Sequence, residues 1–225
     1  DSIEFAAEEL GTHVFYNISA FGDPVKTTIL AGGMEFDAYT RLFGEMDPGF
    51  TFKPFNRELT EKILREKKLF ITPSVIEGMG MFPDSKPRII AGDTEYALAG
   101  LQESGDSIGV SGDELFSSLN ISLAVQTKVG LERAGAQDGT SIFIEGGFRK
   151  NDSYAALLTA LFPHSEVSFT NIEEATSFGA AILGKCAMEK IDPMKLSDKV
   201  TIEYDRVETV KIEGLEGYIE EYLKR

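Results

Sequence analysis

The amino-acid sequence predicts an α/β fold, with an N-terminal β-hairpin followed by a mixed sheet flanked by helices. Three observations predict it. Residues 13–19 and 25–30 are β-rich runs on either side of the turn residues Phe21, Gly22, Asp23 and Pro24, the pattern of a hairpin. The run Ile142, Phe143, Ile144 is apolar without alternation, as in a strand covered on both faces. From there on, strand and helix patterns alternate, which implies parallel pairing through right-handed crossovers.

The elements follow in chain order. In the hairpin, Val14, Tyr16 and Ile18 alternate with Phe15 and Asn17. Gly32 and Gly33 lead into a helical stretch over 34–43, which Asp47, Pro48 and Gly49 break. Asn56 caps a second helix with Leu59, Ile63 and Leu64 on one face. Residues 70–87 read as irregular, with Pro73, Pro83, Pro87, Gly78 and Gly80; 88–91 read as a short apolar strand, and 104–112 as a Gly- and Ser-rich loop.

The second half is more regular. Ser111 and Glu114 form a capping box for a long helix over 114–133. Its stripes Leu115, Leu119, Leu123 and Ile121, Val125, Val129 lie on different faces, so this helix is buried on more than one side. Gly135 suits the position just past its end. Gly146 and Gly147 end the apolar strand, Asn151 caps a helix reaching about residue 161, and Pro163 stops it. Residues 166–169 read as another strand. Thr170 and Glu173 make a second capping box, before a helix on which Ala175, Phe178, Gly179, Ile182 and Cys186 share a face. Gly179, Ala180 and Ala181 would let that helix approach another backbone closely. Val200, Ile202, Tyr204 and then Val207, Val210, Ile212 read as a strand pair. Leu215, Tyr218, Ile219, Tyr222 and Leu223 recur with helical spacing and mark an amphipathic tail helix.

Composition excludes several function classes. The chain has 225 residues, 42% of them apolar, enough for a substantial core. Its 22 basic and 37 acidic residues leave a net charge of −15, which argues against nucleic-acid phosphates or an anionic membrane as the main partner. No apolar run reaches the ~18 residues of a membrane span. The lone Cys186 allows no intrachain disulfide. The histidines are His13 and His164 alone, so no zinc site is expected. The N-terminus carries neither a basic leader nor an initiator Met, which points to a cytoplasmic chain cut from a longer one. The sequons at Asn17, Asn120 and Asn151 are then coincidental.

The residues around 142–161 carry the strongest chemical signal. Gly146 and Gly147 have no Cβ, so a ligand can lie against their backbone. The helix behind them offers free N–H groups and the positive end of its dipole, suited to a phosphate or a polar ring. Asn151 can donate and accept toward a ribose or an adenine edge. The same residues also make a plain βα turn with Asn151 as cap. As a cap alone, Asn151 would be replaceable by Asp; as an adenosine contact it would not. There is no Gly-x-Gly-x-x-Gly fingerprint and no Walker-type Gly-Lys-Ser/Thr. Asp93 and Glu95 read as a solvated turn, and Cys186 as inert core.

Two segments taken together, Ser141-Ile-Phe-Ile-Glu-Gly-Gly-Phe-Arg-Lys-Asn151 and Glu173-Glu-Ala-Thr-Ser-Phe-Gly-Ala-Ala-Ile-Leu-Gly184, resemble the C-terminal domain of the FGGY carbohydrate kinases. That family shows an apolar strand, a Gly-Gly turn, an Asn four residues after the second Gly and, further on, a Glu-Ala-x-x-x-Gly-Ala-Ala helix. Upstream, residues 16–19 and 24–36 resemble the hairpin and helix that follow the family's phosphate loop. The resemblance runs from about 14 to 185; residues 45–110 add little to it. It implies that residues 1–225 are one C-terminal domain of the ribonuclease H-like, actin and hexokinase type, with ATP and sugar in a cleft shared with a missing N-terminal domain. Gly146 and Gly147 match the turn against the nucleotide, Asn151 the adenosine-contacting Asn, and Gly32 the nucleotide-contacting Gly after the hairpin. The position four residues after Gly32, often Gln in glycerol kinases, is Phe36 here.

The family's catalytic Asp and Ser/Thr-Gly-Thr phosphate loop precede the hairpin, so no catalytic residue is expected in this chain. Asp93 in Ala91-Gly92-Asp93 resembles the catalytic Gly-Asp but follows the hairpin instead. The resemblance implies transfer of the γ-phosphoryl group of ATP to a sugar or polyol hydroxyl. It implies Mg²⁺ held mainly through the phosphates, no metal ligands in the chain, and a homodimer as a further option. Two alternatives stand beside it. One is a non-catalytic actin-like nucleotide-binding or oligomerisation module; the other is a kinase of the same superfamily, of the acetate or N-acetylglucosamine type.

Overall fold

A helix of 22 residues, α4 (Gly112–Arg133), runs through the middle of the molecule, and Leu115, Leu119, Ile121, Leu123 and Val125 on its several faces are all buried. The computed structural model describes residues 7–9, 13–104, 108–172 and 174–225. Before α4 the chain forms an antiparallel pair, β1 (Val14–Ile18) with β2 (Pro24–Thr28), in register Val14 opposite Thr28. Next come α1 (Gly32–Met46) and α2 (Arg57–Glu66), and then an antiparallel sheet of β3 (Leu69–Ile71), β4 (Arg88–Ala91) and β5 (Thr94–Ala97) in that spatial order. α3 (Leu98–Ser104) leads toward α4. After α4, β6 (Ile142–Ile144) pairs in parallel with β7 (Val167–Thr170) across α5 (Asp152–Leu161). α6 (Ala175–Glu189) follows, β8 (Tyr204–Arg206) closes a mixed sheet antiparallel to β7, and α7 (Leu215–Tyr222) ends the chain. No described helix is long and apolar enough to cross a membrane.

Several local signals act as the sequence predicts. Asn56 Oδ1 accepts from Leu59 N–H at 3.0 Å, and Ser111 and Glu114 form a reciprocal capping box on α4. Leu215, Tyr218 and Tyr222 of α7 are buried. The Phe70 ring stacks on Tyr218, whose hydroxyl donates to Leu69 O at 2.7 Å.

Other expectations are corrected. β3 lies where an irregular segment is expected: three residues are too short to show a period, and their pairing with β4 makes the strand. Asp93 does sit in the expected turn, between Ala91 and Thr94 with Gly92 at φ +62°, but Glu95 belongs to β5 and pairs with Arg88. β6 is covered on one face only: Phe143 is 53% exposed, with Tyr204 tilted against it. The helix expected after a Thr170–Glu173 capping box begins at Ala175 with no side-chain cap, while Thr170 ends β7; Glu173 lies outside the described residues. Of α6 only Cys186 is buried, and a Cβ at Gly179 would meet nothing within 4 Å, so the close backbone approach is absent there. The expected strand pair over 200–212 reduces to β8. His13 is half-buried, with its ring nitrogen 3.1 Å from Gly80 O, while His164 is exposed and paired with Asp138.

A buried carboxylate ties α1 to α4. Glu35 is 2% exposed; it accepts from Ser74 N–H and from Gln126 Nε2, each at 2.8 Å. Gln126 also reaches Ser122 Oγ, which is hydrogen-bonded to the Tyr222 hydroxyl at 2.8 Å. Ser74 adopts φ +76°, a region that disfavours side chains. The Glu35 bond and the donation of its own hydroxyl to Phe82 O at 2.6 Å hold it there. Burial raises the Glu35 pKa, against the lowering effect of the bonds from Gln126, Ser74 and Val75.

A carboxyl whose pKa is raised on folding weakens the fold as it ionises. That cost is absent below the unfolded value of about 4.3, grows as pH rises from there toward the raised folded value, and is complete above it. Glu35→Gln removes the charge, and the Gln126 amide can turn its oxygen toward the new amide. Between about pH 4 and about pH 8 in urea unfolding, the variant's stability relative to wild type should therefore rise and then level off. A stability difference that stays constant over this range would contradict the assignment.

Candidate functional site

Two distant segments build the candidate site. The first is the start of α1. Its N-cap, Ala31, has no side-chain hydrogen bond, so the leading N–H groups of the helix, at Gly32, Gly33 and Met34, have no capping side chain. An uncapped helix start carries partial positive charge. The second is the turn after β6. Gly146 takes φ +66°, a conformation open to glycine at little cost. One 3-10 turn, Gly146–Lys150, then carries the chain to Asn151 at the head of α5.

The two segments meet around a cavity of about 310 Å³ lined by Gly33, Phe36, Asp37, Gly147, Phe148 and Asn151, at the low end of the ~300–1,000 Å³ usual for small-molecule sites. Phe148 separates it from a smaller hollow of about 210 Å³, on which Gly32, Gln126, Thr127 and Tyr154 open. Burial pushes the Tyr154 hydroxyl up to about 12, against its bond with Thr127.

Each residue expected at the site has a definite place. Gly147 lines the larger cavity, and a Cβ there would meet nothing within 4 Å. Gly146 makes the turn. Gly32 opens on the smaller hollow, where a Cβ would stand in ordinary contact 3.4 Å from Phe148 Cζ, and Gly33 faces the larger cavity. Asn151 is 8% exposed and lines the cavity. It is a cap, its Oδ1 accepting from Tyr154 N–H at 3.1 Å. It also donates through Nδ2 to Asn120 Oδ1 at 2.7 Å, while Asn120 Nδ2 donates to Phe116 O. One N–H of the Asn151 amide is left over.

The sequence reading missed Gly33, Phe36 as a wall, Asp37, Phe148 and the clamp from Asn120. Phe36 and Asp37 lie one turn beyond Gly32 and Gly33, so helical spacing from the glycines was the available signal. Nothing in sequence distance announces Asn120, 31 residues before Asn151. Arg149, in the same turn, has its Nε buried with no acceptor among the described residues. Among the described residues no group of three or more His, Cys, Asp or Glu could hold a metal ion. Cys186 is buried in α6.

The family model described as "Carbohydrate kinase FGGY, C-terminal domain" matches residues 8–193. Solved structures similar to the chain include a carbohydrate kinase from Novosphingobium aromaticivorans, with TM-score 0.60, 18% identity, and coverage of 95% of this chain and 39% of that one. A xyloylose kinase from Brucella ovis gives TM-score 0.53 and 18% identity over 88% of this chain and 38% of that one. A Plasmodium falciparum glycerol kinase with ADP gives TM-score 0.56 and 13% identity over 94% of this chain and 41% of that one. At these identities the likeness shows the fold, and the chain spans about two fifths of the length of each structure. Comparison with curated proteins gave no match.

The Asn120 bond changes what Asn151→Asp should do. An Asp caps as well as an Asn, but it would set an oxygen against Asn120 Oδ1. Asn120 cannot turn its amide without giving up the Phe116 carbonyl. The variant should lose about 1–3 kcal/mol in urea unfolding, the cost of a buried polar group left without its partner. A midpoint equal to wild type would mean that Asn151 acts as a cap alone.

Proposed function

The chain belongs to the FGGY carbohydrate kinase family, as a C-terminal domain of that family, and we propose that it is the nucleotide-binding part of an ATP-dependent sugar or polyol kinase. The observation that carries this reading is the convergence of the α1 start and the Gly147–Asn151 turn on one cavity. Glycines bare the backbone on both sides, aromatic rings supply an apolar wall, and an uncapped helix start offers N–H groups. That combination suits a base joined to a phosphate chain. The chain as a whole is strongly acidic, with net charge −15, so attraction for phosphates has to be local. The α1 dipole, whose Gly33 lines the cavity, is one such source.

In this reading the fold is of the ribonuclease H type, and the longer kinase adds an N-terminal domain that binds the sugar and supplies the base for its hydroxyl. Transfer moves the γ-phosphoryl group of ATP to that hydroxyl and releases ADP. Mg²⁺ would reach the site on the nucleotide's phosphates. What this chain contributes is position: the phosphoryl donor is held where small displacements are costly. The sequence 32–37 sets one wall and 146–151 the other, each fixed to α4.

Gly147→Val tests the reading. Its backbone φ is not in the left-handed region and its Cβ would meet no atom within 4 Å, so the variant should fold with a wild-type melting curve. Its branched side chain would occupy the cavity lining. Titration calorimetry with ATP should show affinity at least ~10-fold weaker, about 1.4 kcal/mol. Equal affinity in a folded variant would refute the placement of the nucleotide.

A further inference from the structure

We propose that this cavity recognises its nucleotide by the sugar and not by the base, with Asp37 accepting the ribose hydroxyls while Phe36 and Phe148 hold whichever base is attached. The inference rests on the nucleotide reading above and concerns what the same site discriminates.

The walls of the cavity are mostly carbon. Phe36 and Phe148 meet at 6.2 Å between ring centres and at 69°, making a corner rather than a parallel slot. A flat base can stack on one ring and meet the edge of the other. Phe52, 63% exposed, extends the aromatic surface from 5.6 Å beyond Phe36. Stacking of this kind is indifferent to base identity, because every base has a π-face.

Reading a base requires donors and acceptors aimed at its edge. Only two side chains lining the cavity carry polar groups, Asp37 and Asn151. The Asn151 oxygen is taken by Tyr154 N–H, and one of its N–H groups by Asn120. What remains is one N–H and the second lone pair of the oxygen; adenine and guanine each carry an exocyclic amino group beside a ring nitrogen that can meet such a pair, so the amide does not distinguish them. The position four residues after Gly32 carries the apolar Phe36, which cannot read an edge.

Asp37 is placed differently. Its carboxylate makes no hydrogen bond or ion pair with any described residue. The residue is exposed at the rim, where the cavity opens into a wider hollow beside Thr40, Arg41 and Phe52. A carboxylate accepts only, and its two oxygens match the two neighbouring hydroxyls of a ribose through charge-assisted bonds. The rim is wet and the corner is apolar, so the hydroxyl-bearing sugar belongs at Asp37 and the base beneath the rings. The negative charge also turns the triphosphate away from the rim and toward the helix start.

The test titrates ATP, GTP and 2′-deoxyATP into the chain and into Asp37→Ala, an exposed substitution. Wild type should bind ATP and GTP within about threefold of each other, and 2′-deoxyATP about tenfold more weakly, the effect of one lost bond to a charged group. In Asp37→Ala the ATP and 2′-deoxyATP affinities should converge while the ATP-to-GTP ratio stays near wild type. GTP binding more than about tenfold weaker than ATP would overturn the proposal, as would a ribose preference that survives Asp37→Ala. Binding of none of the three would instead overturn the nucleotide reading itself.

Discussion

Both walls of the cavity are fastened to one helix, α4, and the fastenings are buried hydrogen bonds. Asn120 of α4 holds Asn151, and so the glycine turn; Gln126, less than two turns further on, holds Glu35, and so the start of α1. Leu123, between them, packs within reach of Gly32, and Phe148 closes on the same glycine. In a low-dielectric interior such bonds are strong when satisfied and costly when broken. The relative position of residues 32–37 and 146–151 is therefore set by a rigid element rather than by the loops that carry them, as a binding site needs.

The arrangement has a cost, and it falls on Glu35. A carboxylate at 2% exposure, with hydrogen bonds but no ion pair among the described residues, is less stable ionised than it would be in water. It also holds Ser74 in a left-handed conformation, so the segment linking β3 to β4 is tied to α1. The side chains on either side of this strained contact have different tasks. Glu35 points inward to Gln126, while Phe36 and Asp37, the next two residues on the helix, reach the cavity. Three consecutive residues thus carry anchoring, wall and rim.

The helices were legible in the sequence because their signals are local. Capping by Asn56, Ser111 and Asn151 and the periodicity of α4 and α7 depend on residues within a few positions of one another. Strand β3 was not: its three residues have no period to read, and it exists through its partner β4. Apolar pattern also failed to say what covers a face. Phe143 and most of α6 look like core in sequence and are exposed in the described structure. For the site, the glycines and Asn151 could be named because backbone bareness and capping are local properties. Asn120, Gln126 and Glu35 could not, since a buried polar residue looks like an exposed one until its partner is known. The family match over residues 8–193 shows the family of the chain, and the proposed contacts rest on this chain's own geometry.

The central claim is that one nucleotide is held between the start of α1 and the glycine turn. Hydrogen–deuterium exchange of the chain with and without ATP tests it most directly, because backbone amides in both walls would be shielded together. Slowed exchange confined to peptides covering residues 32–37 and 146–151, and to their contacts on α4, is the predicted result. Protection of only one of these segments, or protection centred elsewhere, such as along α6, would contradict the account.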